Sequence, residues 1–188
     1  MKANATSQEQ ILAACRALTE REGIGAISMR AVAGECGIAL GTLYHYYVDK
    51  EALLLAAVED IWRDILPEDD ADHSPYFAEY AEMLYRRIRQ GISRYPGFLT
   101  AHSAVFAGAD RQQGREAMHS CFGSIRRGLA ASIAADSAIT PGVLNDGYTA
   151  QQMADFVLDN MLMLLMKGAP DCGFLIRTVT LALHGKAE

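Results

Sequence analysis

The segment from Ser28 to Leu54, SMRAVAGECGIALGTLYHYYVDKEALL, constrains the fold of this chain more than any other segment. Its spacing of apolar residues predicts a short helix, a turn made by Cys36, Gly37 and Ile38, a second short helix and the start of a longer one. Leu43 is the inward residue of the second short helix, and polar or aromatic residues surround it. This order predicts a helix-turn-helix, a motif whose second helix enters the major groove of DNA.

Helix signals dominate the remainder of the chain, and strand patterns are nearly absent. Ser7 with Gln10 and Thr149 with Gln152 have the spacing of capping boxes, at which helices begin. We predict an all-α fold of about nine helices, over approximately residues 7–23, 28–36, 40–46, 49–66, 76–95, 96–106, 115–135, 149–167 and 172–184. Residues 108–114 and 136–148 are expected to be loops.

A polar, acidic stretch at residues 67–75, PEDDADHSP, separates a small head from a larger body. We predict a helix-turn-helix domain over residues 1–48 and a second domain over residues 49–188. The helix at about 49–66 links the two domains.

The charge of the predicted head is unusual for a segment that binds DNA. Residues 1–66 contain six Lys or Arg and nine Asp or Glu, in a chain whose formal net charge is −6. Nonspecific affinity depends on cations that replace the counterions of phosphates, so this balance predicts weak affinity for random DNA. Specific binding stays open, because hydroxyl groups and helix N-termini also hold phosphates.

The sequence lacks the motifs that mark secreted, membrane-bound and catalytic proteins. We expect no export signal and no contact with membranes, since no run of about 18 uncharged apolar residues occurs. The four cysteines are scattered, which is typical of reduced thiols in a cytoplasmic protein. Without a GxSxG, HExxH or phosphate-loop motif, we expect no catalysis, no metal and no cofactor.

A family resemblance rests on the residues of the helix-turn-helix. They are Ser28-Met29-Arg30, Val32-Ala33, Gly37-Ile38, Gly41-Thr42-Leu43-Tyr44, Tyr46-Tyr47 and Asp49-Lys50-Glu51-Ala52-Leu53. With them the chain resembles the TetR family of bacterial transcriptional repressors over about residues 7–60. The resemblance implies a three-helix DNA-binding head and a helical body that binds a ligand and forms a homodimer. It also implies that ligand binding releases DNA.

Candidate DNA contacts combine this resemblance with side-chain chemistry. The set is Ser28, Arg30, Leu40, Gly41, Thr42, Tyr44, His45, Tyr46 and Lys50. Hydroxyls and cations suit phosphates, whereas Leu40 and Gly41 offer apolar contact and close approach. The recognition helix has no Arg, Asn or Gln, so we expect DNA shape to be read in part. The alternatives are an ion pair of Arg30 with Glu35 or Glu51 and a purely capping Ser28.

Two sets of residues in the body are candidates for binding. Aromatic and apolar residues that could line an effector pocket are Trp62, Tyr80, Leu84, Phe98, His102, Phe106, Phe122 and Phe156. Apolar residues of the last two helices that could form a dimer interface are Met153, Val157, Met161, Leu164, Ile176, Val179 and Leu183. For both sets the alternative is ordinary packing in the core of one chain.

The sequence therefore predicts a ligand-responsive repressor that binds a palindromic operator in double-stranded DNA as a homodimer. Its effector is expected to be a small apolar or amphipathic compound. One alternative is an enzyme or small-molecule carrier with a vestigial head, whose activity would be independent of Tyr44 and Lys50. Another is a thiol sensor that uses Cys121 or Cys172, whose DNA binding would change after mild oxidation.

Overall fold

The structure of the chain is a computed structural model that describes residues 6–66, 74, 76–99 and 111–184, with the backbone alone for residues 111–121. The α-helices are α1 (Gln8–Glu22), α2 (Met29–Glu35), α3 (Leu40–Tyr46), α4 (Lys50–Ile65), α5 (Phe77–Ser93), α6 (Arg111–Ala135), α7 (Ala150–Met166) and α8 (Gly173–His184). A 3-10 turn at Ile24–Ala26 follows α1. The described ranges contain no strand, so the all-α prediction is confirmed.

Local capping signals set where the helices begin. Both predicted capping boxes form, with Ser7 and Gln10 bonded reciprocally at α1 and Thr149 and Gln152 at α7. One prediction was wrong, because α6 begins at Arg111, inside the expected loop. A glycine within a helix costs only about 1 kcal/mol, so Gly114 does not prevent the helix. The helix predicted over residues 96–106 extends beyond the described residues, which show residues 98 and 99 as helical.

Packing divides the chain into two compact units. The head unit comprises Met1–Leu66 and Gly91–Cys121, and the body unit comprises Pro67–Gln90 and Phe122–Glu188. The chain therefore passes from the body unit into the head unit within α5. The predicted domain boundary after residue 48 stays a prediction, because packing does not show which segments fold independently.

The head unit has its core where α1, α2, α3 and α4 meet. Its buried apolar residues include Ile11, Cys15, Leu18, Val32, Leu43, Leu53, Ala57 and Ile61. An ion pair between Arg16 and Asp60, both partly exposed, joins α1 to α4. The paired charges and apolar contacts hold α4 against the three helices of the head.

In the body unit, loop residues bind back onto the helices. The carboxylate of Asp136 accepts hydrogen bonds from the backbone N–H of Phe77 at 3.0 Å and of Ala138 at 2.9 Å. It therefore satisfies a free donor at the start of α5. The Tyr85 hydroxyl donates to the carbonyl of Ala169, just after α7, at 2.8 Å. Apolar faces of α5, α6, α7 and α8 form the core of this unit.

Candidate nucleic-acid interface

A glycine turn joins α2 to α3. Gly37, with a φ of +64°, follows the C-cap residue Cys36. Its N–H donates to the carbonyl of Gly34 at 3.1 Å, and the N–H of Ile38 donates to the carbonyl of Ala33 at 3.0 Å. These two bonds form a Schellman motif, which favours glycine at the left-handed position. The turn thereby fixes the direction in which α3 leaves α2.

Helix α3 buries one side and exposes the other. Leu43 and Tyr47 lie four residues apart and are 0% and 5% exposed, so both belong to the core of the head, which confirms the inward place predicted for Leu43. The exposed residues are Gly41, Thr42, Tyr44, His45 and Tyr46, with Leu40 half-buried. All six are predicted DNA contacts. A surface of small and hydrogen-bonding side chains can approach DNA closely and bind its phosphates.

The two exposed phenols of α3 differ in their surroundings. The Tyr46 hydroxyl donates to the carbonyl of Thr6, just before α1, and its ring meets the edge of the His45 ring with centroids 6.2 Å apart. The Tyr44 side chain is 50% exposed, and its hydroxyl has no partner among the described residues. The Tyr44 hydroxyl is therefore available to an external group, whereas that of Tyr46 holds the start of α1.

Most cations of the head are neutralised within the protein. Arg16 pairs with Asp60, Arg21 with Glu22 and Glu35, and Arg63 with Glu59. Among the cations described in residues 6–66, Arg30 and Lys50 alone have no carboxylate within ion-pair distance. The alternative that Arg30 pairs with Glu35 is wrong, because Arg21 bonds that carboxylate at 3.0 Å and lowers its pKa. The pairing of Arg30 with Glu51 is wrong too.

The two unpaired cations lie at the N-terminal turns of α2 and α4, on either side of α3 in the sequence. Each follows a cap. The Ser28 hydroxyl accepts from the N–H of Ala31 at 3.1 Å, and the Asp49 carboxylate accepts from the N–H of Ala52 at 2.8 Å. Ser28 is therefore a cap, although its hydroxyl hydrogen can still bind a phosphate. Cations are electrostatically unfavourable at helix N-termini, so an external anion would stabilise both.

An open groove of about 870 Å³ lies beside α3. Small side chains of α1 line one side of it, and Cys36, Thr42 and His45 line the other. A site for a small molecule buries most of its ligand. Because this groove is open, it is a surface feature of the head rather than an enclosed effector pocket.

The predicted effector residues are divided between the two units. Trp62 and Phe98 meet in the head unit with ring centroids 5.2 Å apart, and both are 1% exposed. Tyr80, Leu84 and Phe122 are buried in the body unit, whereas Phe156 is 50% exposed and is not part of the core. His102 and Phe106 lie outside the described residues. That these side chains line a pocket stays a prediction.

The predicted dimer residues lie mostly in the core of one chain, and their place at a dimer interface stays a prediction. Met153, Val157, Met161, Ile176, Val179 and Leu183 are at most 7% exposed within one chain, and Leu164 is half-buried. Side chains that pack inside one chain have little surface left for a partner. The exposed apolar residues of the same two helices are Phe156, Met163, Met166, Phe174 and Leu181. We call these five residues the α7–α8 apolar face.

Sequence reasoning missed Phe174 and Leu181, although they are 87% and 66% exposed. Their spacing of seven residues was a signal, since it places both on one side of α8. It also missed Arg94 and Tyr95, whose hydrogen bonds join distant parts of the head unit. No local pattern indicates those partners.

Two further features do not occur in the described part of the chain. None of the described helices combines the length and apolar character needed to cross a membrane. Three or more His, Cys, Asp or Glu side chains placed to hold a metal ion do not occur there.

A helix-turn-helix with exposed hydroxyls and unpaired cations defines a DNA-binding protein, and comparisons with known proteins agree. Residues 11–57 match the family described as "Bacterial regulatory proteins, tetR family". The HTH-type transcriptional repressor KstR of Mycolicibacterium smegmatis is 27% identical over 166 residues, which cover 86% of this chain and 78% of KstR.

Solved structures share the fold. BioQ of Mycobacterium smegmatis aligns with a TM-score of 0.61 at 21% identity, over 96% of this chain and 99% of BioQ. FadR of Bacillus subtilis, in complex with stearoyl-CoA, aligns with a TM-score of 0.62 at 15% identity, over 96% of this chain and 100% of FadR.

The head matches the tetR family model over residues 11–57, and the chain is similar to the repressor KstR over most of its length, so it is a DNA-binding transcriptional regulator. The resemblance stated from the helix-turn-helix residues is thus confirmed. The match to KstR extends well beyond the head, so the body also has a counterpart in a known repressor.

Proposed function

We propose that this protein is a repressor that binds a palindromic operator as a homodimer and leaves it when a small apolar or amphipathic effector binds. The main observation in support of DNA binding is that Arg30 and Lys50 have no carboxylate partner among the described residues. Every other cation described in residues 6–66 is paired with a carboxylate of the protein. In an acidic head, two unpaired cations that flank α3 in the sequence are best explained by phosphates.

Helix α3 makes the remaining contacts. The Thr42 hydroxyl binds a phosphate or its methyl group meets a thymine, and Gly41 allows close approach to the groove. The Tyr44 hydroxyl binds a phosphate. With no Arg, Asn or Gln on α3, sequence preference rests partly on the shape of the operator. Two heads bind half-sites about one helical turn, or a multiple of it, apart.

The dimer buries the α7–α8 apolar face. Phe174, at 87% exposed, and Leu181, at 66%, present apolar side chains that a monomer would leave in water. On α7, Phe156, Met163 and Met166 are further apolar side chains, each about half exposed. Apolar patches of this kind mark protein interfaces. Two copies related by a two-fold axis would cover the face with a four-helix contact.

The effector binds in the body, and it is apolar or amphipathic. KstR is a repressor by name, and FadR, which shares the fold, is in complex with stearoyl-CoA, an amphipathic compound; both support this proposal. Buried aromatic residues such as Tyr80 and Phe122 supply apolar surface in the body unit of this chain.

Binding to DNA taken from beside the protein's own gene tests the proposal. We expect Arg30→Ala and Lys50→Ala each to weaken binding about tenfold and to reduce the salt dependence by about one phosphate contact. Arg63→Ala is the matched control, because it removes an exposed arginine that pairs with Glu59. Equal affinities for all three variants would contradict the proposed contacts. Failure of the wild-type protein to bind at low salt would contradict the proposed function.

A further inference from the structure

An open groove of about 620 Å³ lies between α5 and α8, entirely within the body unit. Ala78 and Glu82 line it from α5, and the residues that line it from α8 include Phe174, Arg177 and Leu181. We call this surface the α5–α8 groove. Phe174 and Leu181 are 87% and 66% exposed, so the groove is bordered by the two large apolar side chains that α8 leaves in water.

Two opposite charges without partners lie in the α5–α8 groove. Glu82 and Arg177 are both exposed, and neither forms an ion pair or a hydrogen bond within the described part of the chain. In a single chain water satisfies both charges. A partner that covers Phe174 and Leu181 must also offer a cation to Glu82 and an anion to Arg177, because a charge buried without a partner is costly.

This combination of charges and apolar side chains limits what can occupy the groove. A small molecule fits poorly, because the groove is open and a small-molecule site buries most of its ligand. DNA fits poorly too, since the Glu82 carboxylate would repel phosphates. A second copy of this chain has the required set. In a two-fold contact, residue i of one copy meets residue j of the other and j meets i, so Glu82 of each copy can meet Arg177 of the other.

We propose that the homodimer contact extends from α8 into the α5–α8 groove, where two symmetric ion pairs of Glu82 with Arg177 of the other copy select the partner. This inference rests on the homodimer of the proposed function. Phe174 and Leu181 supply apolar contact, which is non-directional and accepts many apolar surfaces. The ion pairs supply register and choice of partner, because a surface with like charges at those places is rejected. Glu82 and Arg177 thus determine the specificity of assembly.

Reversing the two charges tests the pairing directly. In a homodimer of Glu82→Arg, two cations would meet at each of the two symmetric contacts. In a homodimer of Arg177→Glu, two anions would meet there. A mixed dimer of the two variants has opposite charges at both contacts, so it regains both ion pairs. Both positions are exposed, so we expect both variants to fold, and circular dichroism checks this.

We expect each variant alone to dimerise at least about thirtyfold more weakly than wild type, because every substitution acts twice in a symmetric dimer. An equimolar mixture should form the mixed dimer with an affinity within about threefold of wild type. Sedimentation velocity with a fluorescent label on one variant measures both affinities. Arg86→Glu is the matched control and should dimerise as wild type, since it reverses an exposed arginine of α5 that does not line the groove.

Three results would overturn the proposal. Variants that dimerise as tightly as wild type would show that the α5–α8 groove lies outside the dimer contact. Variants that weaken the dimer but stay monomeric when mixed would refute the pairing of Glu82 with Arg177. A wild-type protein that is monomeric both alone and on DNA would refute the homodimer of the proposed function, and this proposal with it.

Discussion

The exposed side of α3 and the α7–α8 apolar face both carry exposed rings, but the rings differ in chemistry. Tyr44 on α3 is 50% exposed and has a hydroxyl, which water or a phosphate can satisfy. Phe174 on α8 is 87% exposed and has no polar atom. Covering an exposed phenylalanine contributes about 2–3 kcal/mol. The degree of exposure alone therefore does not indicate what a ring binds. A ring with a hydroxyl suits water or a phosphate, whereas a ring without polar atoms suits an apolar protein surface.

The largest expected effect comes from charging each surface in turn. Phe174→Glu should weaken the dimer at least about a hundredfold, because a carboxylate would be buried without a partner. Tyr44→Glu should leave the dimer unchanged and abolish DNA binding through repulsion by phosphates. Sedimentation velocity and DNA titration measure both properties, and each variant is the control of the other. A dimer that survives Phe174→Glu would show that the α7–α8 apolar face is not the interface.

A smaller effect separates the two phenols of α3. Tyr44→Phe removes a hydroxyl that is free in the structure, so we expect DNA binding to weaken about tenfold as a charge-assisted hydrogen bond is lost. Tyr46→Phe removes a hydroxyl that holds the carbonyl of Thr6, so we expect faster hydrogen exchange at the start of α1 and a weaker effect on DNA. Fluorescence anisotropy gives the affinities. The reverse order would mean that Tyr46 changes its partner on DNA.

Local signals were sufficient to predict the helix-turn-helix. A capping box such as Ser7 with Gln10 spans three residues, and the Gly37 turn is fixed by a single conformational requirement, so neighbours in sequence determine both. The burial of Leu43 follows from the helical period in the same way. These features form within one or two turns of helix and need no knowledge of the rest of the chain.

Long-range partners were not predictable. Arg30 is unpaired because Arg21 binds Glu35, and Arg94 reaches Glu20 from a segment 74 residues away. Which carboxylate an arginine pairs with depends on the distances between side chains in the folded chain. In α7 and α8 the apolar residues surround the helix, so their pattern does not tell which side faces the core. For example, Met161 is buried and Met163 is exposed, although the sequence pattern suits either residue for the core side of the helix.

The smallest expected effect on DNA binding is that of oxidation, and it separates a regulator from a thiol sensor. Burial raises the pKa of Cys172 in the body to about 11 and of Cys15 in the head to about 12. Both stay protonated at pH 8, and alkylation of Cys172 should rise about tenfold for each pH unit up to about pH 11. The half-buried Cys36 should be alkylated before either.

Mass spectrometry of the native protein after iodoacetamide treatment at several pH values measures these rates. Because a thiolate is the species that is oxidised, dilute peroxide at pH 7.5 should change DNA affinity by less than about twofold. Cys36→Ser is the matched control, since that thiol lies at the turn before α3. Rapid alkylation of Cys172 at pH 7.5, together with loss of DNA binding after peroxide, would favour the thiol sensor instead.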